Sequence, residues 1–145
     1  MDIPEELYLQ IFKHVPVLAV DGIIVKDRQI LLAKRTIEPF LGFWCLPGGR
    51  MNTGETCEEA VVREMIEETG LKCEIIKLLG VYSRPGRDPR GHTVTVAYLL
   101  KPVSGELKGN FESSELKFFD LDKIPTNLGF DHRTIIKEAL SILNT

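Results

Sequence analysis

Between Thr56 and Gly70 the chain carries a helix with three carboxylates on one face. Glu64, Glu67 and Glu68 stand at i, i+3 and i+4, within an arc of about 100°. Val62, Met65, Ile66 and Thr69 fall on the opposite arc and are predicted to face a core. Thr56 and Glu59 match the S/T-x-x-E capping box, which starts the helix near Cys57. Gly70 suits the left-handed position after the C-terminus. A Glu-rich helix is ordinarily a solvated face, yet three crowded acids repel one another there. Hard cations with oxygen ligands relieve that repulsion. Mg²⁺ takes a few carboxylates together with phosphate oxygens and water.

The segment before the helix, Pro47-Gly48-Gly49-Arg50-Met51-Asn52-Thr53-Gly54-Glu55, reads as a glycine loop whose backbone passes close to phosphate or metal. Loop and helix together match G-x5-E-x7-R-E-U-x-E-E-x-G-U, with U apolar. The fixed positions are Gly49, Glu55, Arg63, Glu64, Glu67, Glu68 and Gly70, with Met65 and Leu71 at the apolar sites. Seven fixed positions match by chance about once in 10⁸ windows at average residue frequencies. This is the Nudix box, and the chain resembles the Nudix hydrolase family.

The other elements point to a mixed sheet. Val15 to Val25 is an apolar, β-branched strand, Lys26-Asp27-Arg28 a hairpin turn and Gln29 to Lys34 the returning strand. Thr36 to Gly42 is a loop, and Phe43 to Leu46 a short strand. After the helix come a strand at Lys72 to Tyr82, a loop at Ser83 to Gly91 and a strand at Thr93 to Leu100. Pro102 to Asn110 reads as turns, and Leu116 to Leu121 as the last strand. Asp131 caps a final helix reaching about Leu143. Met1 to His14 is read as an extra strand or short helix packing across a dimer partner. This order predicts an α/β (α+β) fold with helices on both faces of a mixed sheet. The resemblance implies the same more specifically, as one Nudix α/β/α sandwich over residues 1–145.

Composition excludes several function classes. A chain of 145 residues with net charge −3 and no run of either sign is no dedicated binder of nucleic acid polymers, though nucleotides remain open as substrates. No segment is long enough to span a bilayer, and the N-terminus lacks an apolar signal core. Cys45, Cys57 and Cys73 are odd in number and show no C-x-x-C spacing, so reduced cytoplasmic thiols are expected. Cys45 reads as a small buried filler.

Within the box, Glu64 and Glu68 are the expected metal ligands, with Glu67 a ligand or the orienter of one. The resemblance adds the backbone carbonyl of Gly49 and implies Mg²⁺, with Mn²⁺ as an alternative, and a homodimer. Arg63 is expected to pair with Glu55, tying loop to helix. The general base is a box glutamate or one of Glu112 and Glu115, which precede the last strand.

The substrate signal is Tyr82-Ser83-Arg84-Pro85-Gly86-Arg87-Asp88-Pro89-Arg90-Gly91-His92. Arg84, Arg87, Arg90 and His92 on a proline-stiffened loop offer forked donors to phosphate and ribose oxygens. Pro85 lies fifteen residues after Gly70, in a loop resembling that of the ADP-ribose pyrophosphatase branch. Arg35 is a further phosphate ligand candidate, and Phe40, Phe43 and Trp44 are candidates for stacking on a base. Asp131 and His132 read first as a helix cap and second as a substrate contact. The leading expectation is Mg²⁺-dependent hydrolysis of ADP-ribose to AMP and ribose 5-phosphate. A nucleoside triphosphate pyrophosphohydrolase and a non-catalytic nucleotide sensor are the alternatives.

Overall fold

The computed structural model describes residues 3–110 and 112–143. A helix, α1 (Glu5–His14), precedes strands β1 (Val17–Lys26) and β2 (Gln29–Arg35). Two short strands follow, β3 (Trp44–Cys45) and β4 (Gly48–Arg50), and then the helix α2 (Cys57–Thr69). Strands β5 (Leu71–Tyr82), β6 (Thr93–Gly105) and β7 (Ser113–Asp120) lead to α3 (His132–Leu143).

The strands form a mixed sheet in the order β3-β2-β1-β6-β5, with β4 on β1 and β7 on β2. The β1–β6 pair is parallel and the other pairs are antiparallel. Asp27 and Arg28 both take positive φ between β1 and β2, as a two-residue hairpin requires. Because side chains alternate across a strand, neighbouring residues feed opposite cores. Val20, Ile24, Leu31 and Leu100 pack with Val61 and Met65 of α2. Ile23, Leu32 and Leu99 pack with Ile135, Ile136 and Ala139 of α3. One helix on each face completes the α/β/α layering. Each fully buried Ile or Leu contributes about 1.5–3 kcal/mol.

Several local expectations need correction. Gly48–Arg50 is not a free loop: it is a strand paired with Ala19, Val20 and Asp21 of β1. Ile66 is exposed, whereas Ala60 and Val61 are buried with Met65 and Thr69, so the core face of α2 is turned from the predicted one. β6 runs on past Leu100 through Pro102 to Gly105, because β5 continues to pair with it. Pro102 stands near the end of that pairing, beyond the centre of the sheet. β7 starts at Ser113, which puts Glu115 in a strand opposite Lys34. Of the two forms expected for the N-terminal segment the helix is the one present, and it buries Tyr8 and Phe12. Met1, Asp2 and Phe111 lie outside the described residues. No helix among them is long and apolar enough to cross a membrane.

Candidate active site

The box helix starts and stops where its chemistry directs. Thr56 Oγ1 accepts from the Glu59 amide at 3.0 Å, and Glu59 accepts from the Thr56 amide at 3.0 Å. Gly70 ends the helix at φ 78°, a left-handed position that glycine adopts without a Cβ penalty. These two ends fix the rotation of α2, and so aim Glu64, Glu67 and Glu68 across Gly49.

Arg63 ties the pieces together. Its Nε and Nη2 donate to the two oxygens of Glu55 at 2.8 and 2.7 Å, and Nη2 also donates to the Arg50 carbonyl at 2.9 Å. Its Nη1 donates to Glu64 at 2.9 Å and to Glu67 at 3.0 Å. The Arg63 bonds hold the Glu55 carboxyl below its usual range, and the carboxylates raise the Arg63 guanidinium in turn. Glu64 is buried, and the Gly49 backbone lies directly against its carboxylate: a Cβ on Gly49 would stand 2.4 Å from the Glu64 carboxyl carbon.

These groups line a cavity of about 510 Å³. One side is acidic, formed by Glu64, Glu67, Glu68 and Glu112. Burial pushes the Glu68 carboxyl up to about 7, and the charges of Glu112, Glu64 and Glu67 push the same way. Burial also raises Glu64, against the pull of Arg63. Oxygen-only donors held against their own repulsion suit a hard divalent cation. Among the described residues, however, no three such groups stand close enough to form a ready-made ion cage. Arg63 Nη1 sits between Glu64 and Glu67 instead.

Arginines from several elements line the same cavity: Arg35 from β2, Arg50 from β4, and Arg87 and Arg90 from the loop before β6. Arg87 is buried and committed. It makes a paired contact with Asp131 at 2.9 and 2.7 Å and donates to Thr95 Oγ1 at 2.6 Å. Arg90 is paired with Asp88 at 2.9 Å. Arg84 and His92 do not line the cavity; His92 Nε2 lies 2.8 Å from the Ser83 carbonyl. Glu115 lies outside it too, whereas Glu112 faces in. Of the two later glutamates, only Glu112 reaches the box carboxylates, and it enters the electrostatics of both Glu64 and Glu68.

Further groups stand in and beside the cavity, some of them unmarked in the sequence. Asp131 uses its carboxylate on Arg87, so its side chain anchors the loop rather than capping α3. His132 is buried, and its Nδ1 accepts from the Leu46 amide at 2.9 Å. The ring proton is thereby placed on Nε2, which lies 3.2 Å from Asp21 Oδ2. That contact is in ion-pair range but outside hydrogen-bond geometry, and Asp21 Oδ2 has no hydrogen-bond partner among the described residues. A lone acid inside the apolar run of β1 was the available signal for Asp21. Phe130, at φ 51°, also lines the cavity. The guanidinium carbons of Arg35 and Arg90 lie 5.2 and 5.7 Å from its ring centre. Phe40 packs behind it at 4.8 Å, and Trp44 packs edge-on against Phe119, so neither of these nor Phe43 reaches the cavity. Cys45 is buried as expected, which pushes its thiol up to about 12.

Carboxylates and arginines lining one cavity are chemistry for a polyanion bridged by cations. The chain is 54% identical over 125 residues to the ADP-ribose pyrophosphatase of Methanocaldococcus jannaschii, covering 86% of this chain and 73% of that one. Among solved structures it resembles the MutT NUDIX hydrolase of Burkholderia pseudomallei, with TM-score 0.79 and 34% identity over 86% of this chain and 98% of that one. The NUDIX domain of Shewanella oneidensis NrtR, solved in complex with ADP ribose, matches with TM-score 0.76 and 29% identity over 97% of this chain and 99% of that one. The sequence profile of the NUDIX domain covers residues 15–139. The capped carboxylate helix and the cavity it faces are therefore those of a family whose pattern runs through most of this sequence, and the chain belongs to that family, the Nudix hydrolases.

Proposed function

We propose that this chain hydrolyses the diphosphate bond of ADP-ribose, releasing AMP and ribose 5-phosphate, with Mg²⁺ as the preferred ion and Mn²⁺ as a substitute. The observation that carries this reading is the lining of one cavity by Glu64, Glu67, Glu68 and Glu112 together with Arg35, Arg50 and Arg90. A diphosphate repels nucleophiles because of its charge, so a catalyst must neutralise it and place a water in line. Glu64, Glu68 and the Gly49 carbonyl would hold the divalent ion, with Glu67 beside them; the ion supplies charge neutralisation and an acidified water. Glu112 is the candidate general base, since it shares the cavity with Glu68.

The remaining residues bind and orient. Arg35 and Arg90 offer donors to phosphate oxygens on either side of Phe130, and Phe130 presents a ring edge or face to the base. Arg87 keeps the loop in place through Asp131. The ADP-ribose pyrophosphatase relative and the ADP ribose complex of the NrtR domain support the choice of nucleotide. Three free thiols suit a cytoplasmic setting.

The test is a product assay on ADP-ribose, other nucleotide sugars and nucleoside triphosphates with Mg²⁺. AMP and ribose 5-phosphate from ADP-ribose are expected. Pyrophosphate from triphosphates, with ADP-ribose left intact, would transfer the reading to a triphosphate pyrophosphohydrolase. Tight ADP-ribose binding without turnover would make the chain a sensor.

A further inference from the structure

Tyr8 lines the same cavity, yet it comes from α1, outside the matched family region and outside the chemistry set out above. Its ring lies between two neighbours. The guanidinium carbon of Arg50 is 3.5 Å from the ring centre, and the Phe12 ring is 5.4 Å away. Phe12 in turn sits on Gly91, where a Cβ would stand 2.5 Å from its ring. That contact pins α1 to the loop carrying Arg87 and Arg90.

The hydroxyl is the unexplained part. Tyr8 is only 7% exposed, and its oxygen has no partner in good hydrogen-bond geometry among the described residues, although the Arg50 guanidinium lies near enough to act on it. A buried hydroxyl without a well-formed hydrogen bond is unfavourable, and phenylalanine would fill the same space without that penalty. The fold thus gains little from the oxygen, whereas a ligand offers it an acceptor. Arg50 follows Gly49 directly in the chain, so the ring beneath its guanidinium borders the place where a diphosphate would lie. Arg50 and Arg90 both act on Tyr8 electrostatically, so the corner offers guanidinium donors to oxygen acceptors.

We propose that Tyr8 is a substrate-binding residue: Arg50 swings toward the phosphates, and the Tyr8 hydroxyl donates a hydrogen bond to an oxygen of the substrate. This rests on the reading of the cavity as a nucleoside diphosphate site. The acceptor is a phosphate oxygen or a hydroxyl of the terminal ribose.

Tyr8→Phe tests it through kinetics and melting together. The expected result is an unchanged or raised Tm, an unchanged kcat and a KM for ADP-ribose raised about tenfold, as the loss of one good hydrogen bond predicts. Inhibition by ADP separates the two acceptors. If ADP weakens in parallel, the acceptor is a phosphate; if ADP is unaffected, it is on the sugar. An unchanged KM overturns the proposal, and a lowered Tm with unchanged KM makes Tyr8 purely structural. Should the wild type fail to cleave ADP-ribose, the wider reading falls separately. Tyr8→Phe is then compared on the nucleotide that the wild type does cleave, where an unchanged KM overturns Tyr8 alone.

Discussion

Gly49 and Glu64 touch so closely that no side chain fits between them: a Cβ on Gly49 would stand 2.4 Å from the carboxyl carbon. Gly49→Ala is therefore expected to displace the Glu64 carboxylate while leaving β4 paired to β1. Weaker Mg²⁺ binding and a loss of kcat, with α-helical and β-sheet circular dichroism retained, are the expected results. Full activity in Gly49→Ala would remove Glu64 from the ligand set.

Arg63→Lys keeps the charge and loses the fork. Lysine cannot serve Glu55, the Arg50 carbonyl and both helix carboxylates at once. A stability loss of about 2 kcal/mol is expected, read by urea denaturation. Wild-type stability in the lysine variant would show that charge alone suffices.

With Glu68 as a ligand, metal binding is expected to depend on pH. Its folded value of about 7 stands above the ordinary 4.5, so below about pH 7 the metal-free protein holds a proton there that an ion must displace. Mg²⁺ affinity should rise between about pH 6 and 8, with proton release seen by calorimetry in buffers of different ionisation heat. The sign for stability is opposite. A raised carboxyl contributes stability that is full below its unfolded value and lost as pH rises through about 7. In the metal-free protein Glu68→Gln should flatten that slope, and with Mg²⁺ it should lower kcat by about 10²–10³. Equal pH dependence in wild type and variant would move the titrating group elsewhere.

The arginine loop divides into anchors and bystanders. Arg87→Ala leaves Asp131 without its paired donor and Thr95 without its partner, and about 2–4 kcal/mol of stability should go with them. Arg84→Ala and His92→Ala should change neither Tm nor the KM for ADP-ribose. A raised KM in either would return that residue to the substrate site.

The box was legible because its signals are local. Thr56, Glu59 and Gly70 declare the ends of α2, and spacing alone puts Glu64, Glu67 and Glu68 together. The pairing of Glu55 with Arg63 followed from charge and distance along the chain. What the sequence hid depends on long-range packing. The Gly48–Arg50 segment looks like a loop until β1 supplies its partner strand, and Ile66 looks like core until the sheet selects Val61 instead. Phe130 and Tyr8 carry no local mark, because each is brought to the cavity by an element distant in sequence. Nothing local announces that Arg87 pairs with Asp131, forty-four positions on.

The two edges of the Arg63 guanidinium do separate jobs. Nε and Nη2 fasten Glu55 and the Arg50 carbonyl, while Nη1 alone attends Glu64 and Glu67. Nη1 thus stands where a divalent ion held by Glu64 and Glu67 would bring its charge. Such an ion would take over those two carboxylates while Nε and Nη2 kept the joint between β4 and α2.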